Sequence, residues 1–355
     1  MRSLFTFRTV GLTLGFVQFS IAFALCPVAD APSFRANIPD PANLAGYLQK
    51  TFESKVSRFS VDITDSRRAG FQWYLGHFFR ECSTDPRSLT WDSGQFSLTG
   101  VESVCNPEGN ASLATVAIRS ATKDWIGVAF GGGAYMEATL SFDPERTVKA
   151  PKGTQWPAFW AMSIEHLAQL PSEQWHGADY GYRHFAEVDI FEYDVWGFAG
   201  QLSYGGAFHD WYGKYKETCL PTHYCRVNNA PGGGSQFENF VITAPPGTDF
   251  KELHRYGVLW KPATESELGT MEYFFDGQPT QDRVHWRQYR DQSPPPGFSD
   301  WTFGIVDKQH LVLFISTGIE QPVLIQDVSV WQRDDCKNIY GQSNATRTHS
   351  TGMKR

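Results

Sequence analysis

Apolar residues in this chain come in short, strand-sized runs broken by glycine and proline, and almost nowhere at helical spacing. Such runs lie at 95–98, 113–119, 126–129, 138–142, 188–193, 240–243, 256–260, 271–275, 311–316 and 328–331. Many short strands separated by turn residues argue for two antiparallel sheets packed as a sandwich. Helical periodicity is confined to 42–50 and 162–170. Two stretches read as long loops: 211–234, which holds Cys219 and Cys225, and 278–297, which holds three consecutive prolines. Loops of that kind wall a cleft and limit what enters it. No repeat or low-complexity linker divides the chain, so one all-β domain is expected over 25–355.

Within this pattern the run 187–192 reads Glu-Val-Asp-Ile-Phe-Glu. Val188 and Ile190 alternate with Glu187 and Asp189, as on a half-buried strand. Strict alternation would turn Phe191 to the acidic face and bury Glu192. One extra residue, a β-bulge near Phe191, restores Glu192 to the face of Glu187 and Asp189. Three carboxylates on one face repel each other, so a solvated strand face is the bland alternative. The surroundings favour chemistry. Upstream lie Trp156, Trp160 and Trp175; downstream lie His209 and Trp211, in a chain whose residues are 15% aromatic. Flat rings offer large apolar faces to sugar rings, and carboxylates accept from hydroxyls and exchange protons. Trp160, Trp175 and Trp211 are expected as stacking platforms, and Trp156 and Trp260 as core.

The ordered set of motifs resembles glycoside hydrolase family 16. It comprises Gly131-Gly132-Gly133-Ala134-Tyr135-Met136-Glu137-Ala138, the Trp-Pro-Ala-Phe-Trp run at 156–160, the acidic hexapeptide and His209. It continues with Leu253-His254-Arg255-Tyr256-Gly257-Val258-Leu259-Trp260, Phe275-Asp276-Gly277 and Leu324-Ile325-Gln326-Asp327-Val328-Ser329-Val330-Trp331. These cover about residues 70–332, and the Phe-Glu-Tyr-Asp after the acids is similar to the large fungal, laminarinase-like branch. The stretch 172–185 is an insertion relative to many members, which bears on Trp175 but not on the acids.

The resemblance implies a jelly roll with a concave substrate cleft. It further implies a retaining mechanism with Glu187 as nucleophile, Asp189 assisting and Glu192 as acid/base, and His209 in the cleft. Residue spacing alone leaves the geometry open. The Cα atoms of Glu187 and Glu192 should lie on the order of 13 Å apart along the strand. Their side chains could then close to about 5–5.5 Å for retention or stay roughly 6.5–9.5 Å apart for inversion. The implied activity is an endo-acting β-glucanase on β-1,3- or mixed β-1,3/1,4-glucan. A glucan transglycosylase and a non-catalytic lectin are alternatives on the same fold. No cofactor is expected. Such sandwiches can carry a structural calcium on the convex side, for which no ligand set is legible.

Arg2 and Arg8 precede an apolar stretch from Val10 to Leu25 with a small-x-small signal at Ala22-Phe23-Ala24, the pattern of a secretory signal peptide over 1–24. A second such site at Ala29-Asp30-Ala31 leaves the cut open between Leu25 and Pro32, and an uncleaved signal anchor is the alternative. Export, no membrane anchor after cleavage and a monomer are expected. Without residues 1–24 there are 29 basic and 38 acidic side chains, a net charge near −9. That balance disfavours nucleic acid and anionic membranes and suits a neutral polysaccharide. Six cysteines in an exported chain suggest disulfides. Cys219–Cys225 is the safest pair; Cys26–Cys336 and Cys82–Cys105 follow only from chain position. Sequons at Asn110 and Asn344 mark glycosylation sites. No zinc-site spacing is present.

Overall fold

The computed structural model describes residues 38–76, 83–92, 95–118, 124–151, 154–168, 182–193, 202–214, 234–291 and 301–341. Two eight-stranded sheets form a jelly-roll sandwich. The first sheet contains β1 (Gln49–Lys55), β4 (Leu89–Asp92), β5 (Gln95–Leu98), β9 (Ala134–Phe142), β14 (His254–Lys261), β15 (Gly269–Phe275), β16 (Gln278–Trp286) and β18 (Val323–Gln332). Its order is β16-β15-β14-β9-β18-β5-β4, with β1 also paired to β18. The second sheet runs, in spatial order, β13 (Gly234–Thr243), β12 (Ser203–Lys214), β11 (Tyr182–Glu192), β10 (Ala158–Ser163), β17 (Leu311–Thr317), β6 (Ala111–Ala114), β3 (Trp73–Leu75) and β2 (Val61–Asp62). All pairings in the two sheets are antiparallel except β2 with β3. β7 (Val116–Ile118), β8 (Trp125–Ala129) and β19 (Ile339–Gly341) form a small third sheet among the described residues.

The main core lies between the sheets and is fed by alternate residues of each strand. Met136, Ala138 and Leu140 of β9 and Ala186, Val188 and Ile190 of β11 all belong to it. Many of the buried aromatic residues lie here. Phe142, Phe191, Tyr193, Tyr204, Phe250, Tyr256 and Phe275 form one continuous cluster, with Phe191 4.2 Å from Tyr256 by ring centroid. Large rings give a strand strong reasons to keep its phase, since each buried side chain stabilises by about 1.5–3 kcal/mol.

Three expectations need correction. The helix expected at 42–50 ends early. It spans only α1 (Asp40–Leu44), because Gly46 takes a left-handed turn (φ 75°) that stops it. Residues 49 and 50 then open β1. The helix expected at 162–170 begins after Met162 and Ser163 have completed β10, and runs Ile164–Leu167. The loop expected at 278–297 is strand β16 over its first part. Asp276 and Gly277, both at positive φ (49° and 78°), make a two-residue turn that pairs Phe275 with Gln278. Of the 211–234 stretch, β12 takes residues up to Lys214 and β13 begins at Gly234; Cys219 and Cys225 lie outside the described residues. So do Trp175, Asn344, Cys26, Cys82 and residues 1–24. Cys105 and Cys336 are both disulfide-bonded. Asn110 is held locally, its Oδ1 accepting from Gln155 N at 2.8 Å. Among the described residues no helix is long and apolar enough to cross a membrane.

Candidate active site

Strand β11 lies inside the second sheet, between β10 and β12, and its register slips at the acids. Asp189 pairs with Ala207 and Glu192 with Gly205, so three steps along β11 meet two along β12. Against β10, Asp189 pairs with Trp160 while Phe191 pairs with Phe159. The extra residue lets Ile190 and Phe191 both turn into the core, at 1% and 0% exposure. Glu192 returns to the face that carries Glu187 and Asp189. The aromatic cluster supplies the reason: an unbulged strand would expose Phe191 and bury a carboxylate in its place.

Neighbouring strands shape the surroundings of each acid. Glu192 has Ala158 on one side and Gly205 on the other, so no bulky side chain crowds its flanks. Its Oε1 accepts from the indole Nε1 of Trp156 at 2.9 Å. Glu187 pairs across strands with His209, and its Oε2 accepts from Trp211 Nε1 at 2.7 Å. His209 Nε2 lies 3.0 Å from Asp189 Oδ2. Rings continue along this face in near-parallel stacks: His209 on Trp211 at 5.4 Å, Trp211 on Phe185 at 6.2 Å, Phe185 on His166 at 3.7 Å. The row fixes the tilt of both side chains that bond to the acids.

Desolvation raises the Glu187 carboxyl above the usual carboxylate range, and the charges of Asp189 and Glu192 add to it. His209 and the Trp211 hydrogen bond pull the other way. Burial alone raises Asp189. Two neighbouring carboxyls with restricted access to water cannot both ionise cheaply, so the pair retains a proton to higher pH than either would alone.

Of the residues singled out from sequence, Glu187, Asp189, Glu192, His209 and Trp211 converge on one face. Trp160 shares that face but is only 6% exposed. Phe314 covers its ring at 4.3 Å, and its Nε1 donates to Ser316 Oγ at 2.9 Å. It forms floor, not an open platform, because its cross-strand neighbour on β17 is another ring. Trp156, expected in the core, is instead a half-buried donor to Glu192. Its proximity depends on the pairing of β10 with β11, which no local pattern announces. Trp260 is core as expected, at 0% exposure.

Among the described residues the only cluster able to offer three acidic or histidine ligands to a metal is Glu187, Asp189 and His209, with ligand atoms within 4.8 Å. Two of these are already bonded to one another. The described carboxylates on the other sheet do not converge, so they do not supply a side-chain set for calcium there.

No protein-family model matches the chain. No curated protein matches it. Some solved structures are distantly similar to it. An endo-1,3-β-glucanase from Streptomyces sioyaensis is 13% identical, with 79% of this chain and 95% of that chain covered and a TM-score of 0.44. A structure reported with endo-acting O-glycanases of human gut microbiota members is 14% identical, covers 80% of this chain and 99% of its own, and has a TM-score of 0.42. LamA of Z. galactanivorans, in complex with laminaritriose and laminaritetraose, is 14% identical over 69% of this chain and 81% of that one, with a TM-score of 0.38.

Proposed function

We propose that the chain is an exported, monomeric glycoside hydrolase that loses residues 1–24 and cuts within neutral β-1,3- or mixed β-1,3/1,4-glucan with retention of configuration. One observation carries this reading: two glutamates on one sheet face flank an aspartate, and each accepts from its own indole donor. In the first step ionised Glu187 attacks the anomeric carbon while Glu192 gives its proton to the departing glycosidic oxygen. The product is a glycosyl ester on Glu187 and a free chain end. In the second step Glu192, now a carboxylate, takes a proton from water as that water displaces Glu187. Attack requires the proton shared by Glu187 and Asp189 to sit on Asp189. Trp211 favours that distribution by donating to the Glu187 carboxylate. His209 orients Asp189 from the opposite strand.

Proton NMR of products from laminarin and lichenan tests the reading. Release of the β anomer before mutarotation is expected. Initial release of the α anomer would remove Glu187 from the nucleophile's role. Binding without cleavage or transfer would leave a carbohydrate-binding protein.

A further inference from the structure

The first sheet has an outward face, directed away from the core and from Glu187. Alternation on β9 buries Met136 and Ala138 in the core and turns Glu137 to this opposite side. A cavity of about 410 Å³ opens there. Lys50 of β1, Glu137 of β9, Arg255 of β14, Asp327 and Trp331 of β18, and Asp276 of the β15–β16 turn all line it.

Glu137 is the unusual member, at 6% exposure. Its Oε2 accepts from Tyr135 at 2.6 Å, and among the described residues Oε1 has no hydrogen-bond donor. Burial holds its carboxyl above the ordinary range, with Arg255 opposing that rise. Oε1 is not sealed from the cavity, so a donor entering it, water or a ligand hydroxyl, can reach the carboxylate. Arg255 is exposed, and its guanidinium spends one donor within the protein, Nη2 to Asp276 O at 2.8 Å. Trp331 backs the cavity, with Lys50 Nζ 4.8 Å from its ring centre.

Three ligand classes can be weighed against this lining. A divalent cation needs several oxygens converging on one point; these carboxylates do not converge, and Lys50 and Arg255 repel it. An anion meets Glu137, Asp276 and Asp327. A neutral polyhydroxyl ligand uses both signs, because each hydroxyl donates to a carboxylate and accepts from an ammonium or guanidinium. We propose that this cavity is a second carbohydrate site, taking a short stretch of neutral polysaccharide on the face opposite the cleavage site. The identity of the polymer rests on the function proposed above; the class of ligand rests on the lining. Two sites on opposite faces would hold the protein on an insoluble polymer through effective concentration, without added affinity at either.

The test uses full-length protein carrying Glu187→Gln, which prevents turnover, titrated calorimetrically with laminarihexaose. Two hexaose molecules per chain are expected. Adding Arg255→Ala and Glu137→Gln should weaken the second site by roughly tenfold or more, the loss expected for charge-assisted hydrogen bonds, and leave the first unchanged. Glu137→Gln keeps an acceptor for Tyr135. If the double change lowers the melting temperature, Arg255→Ala alone, on an exposed side chain, gives the same readout. A single hexaose per chain, or a second site indifferent to these substitutions, would overturn the outer site while leaving the cleft reading intact. Absence of any hexaose binding would overturn both. Calcium chloride or inorganic phosphate, titrated alone and losing binding with the same substitutions while hexaose binding persists, would assign the cavity to an ion and refute the proposal.

Discussion

Strands β11 and β12 carry two histidine–aspartate pairs, one on each face of the sheet. On the open face, His209 of β12 meets Asp189 of β11 at 3.0 Å, with side-chain exposures of 19% and 4%. On the core face the strands exchange roles: His184 of β11 meets Asp210 of β12 at 2.5 Å, at 1% and 0%. Gln309 closes the core pair, donating to His184 O at 2.8 Å and accepting from Ala186 N at 3.0 Å. Tyr289 OH lies 3.5 Å from His184 Nδ1. The open pair instead borders Glu187 and stacks on Trp211. The same two residue types thus serve different ends. A sealed pair braced by Gln309 ties the strands to the 309 segment. A pair with a third carboxylate beside it and a route to solvent can move protons.

The widest separation between the two faces should come from Glu187→Gln. Its turnover should fall below about a thousandth of the unsubstituted protein's, with the melting temperature preserved. Comparable turnover in the variant would end the distinction. Glu192→Gln should reduce cleavage of natural glucan by roughly 10²–10⁴-fold. It should still process aryl glycosides with activated leaving groups, and azide should yield a β-glycosyl azide.

On the core face the expected signature is reversed. Asp210→Ala leaves a buried His184 ring nitrogen without its acceptor and should cost about 1–3 kcal/mol of stability in denaturant titration. Specific activity per folded molecule should stay near normal. An unchanged midpoint would mean that the sealed pair contributes nothing.

Smaller effects sharpen the contrast further. Trp156→Phe removes the donor to Glu192 but keeps most of the ring, so kcat should fall by roughly tenfold, the worth of one hydrogen bond to a charged group. A change confined to KM would make Trp156 a binding surface only. Finally, Asp189→Asn should alter the pH dependence of stability. Burial raises the folded-state pKa of Asp189 from 3.8 to about 7. The penalty for ionising it is therefore absent below about pH 4, grows through the interval and is complete above about pH 7. Asparagine escapes that penalty. The variant's melting temperature should gain on that of the unsubstituted protein at pH 8 but not at pH 4. An equal difference at both would contradict the raised carboxyl.

Parity along a strand made much of this legible. Val188 and Ile190 against Glu187 and Asp189 announce a half-buried strand, and the size of Phe191 forces the bulge that brings Glu192 round. The turn at Asp276-Gly277 was also readable, and it would have turned the supposed loop at 278 into β16. The aromatic residues were harder to place. Trp156 and Trp160 sit four apart in one motif, yet one donates to Glu192 and the other lies under Phe314.

Local chemistry therefore settled which strand carries the acids, their phase and the need for a bulge, because those depend on residues within a few positions of each other. Only the tertiary structure decided which ring meets which acid and which histidine–aspartate pair is sealed. It also decided that Glu137 and Arg255, more than a hundred residues apart, share one cavity. Those outcomes depend on strand order and cross-strand register, set by the burial of many side chains at once.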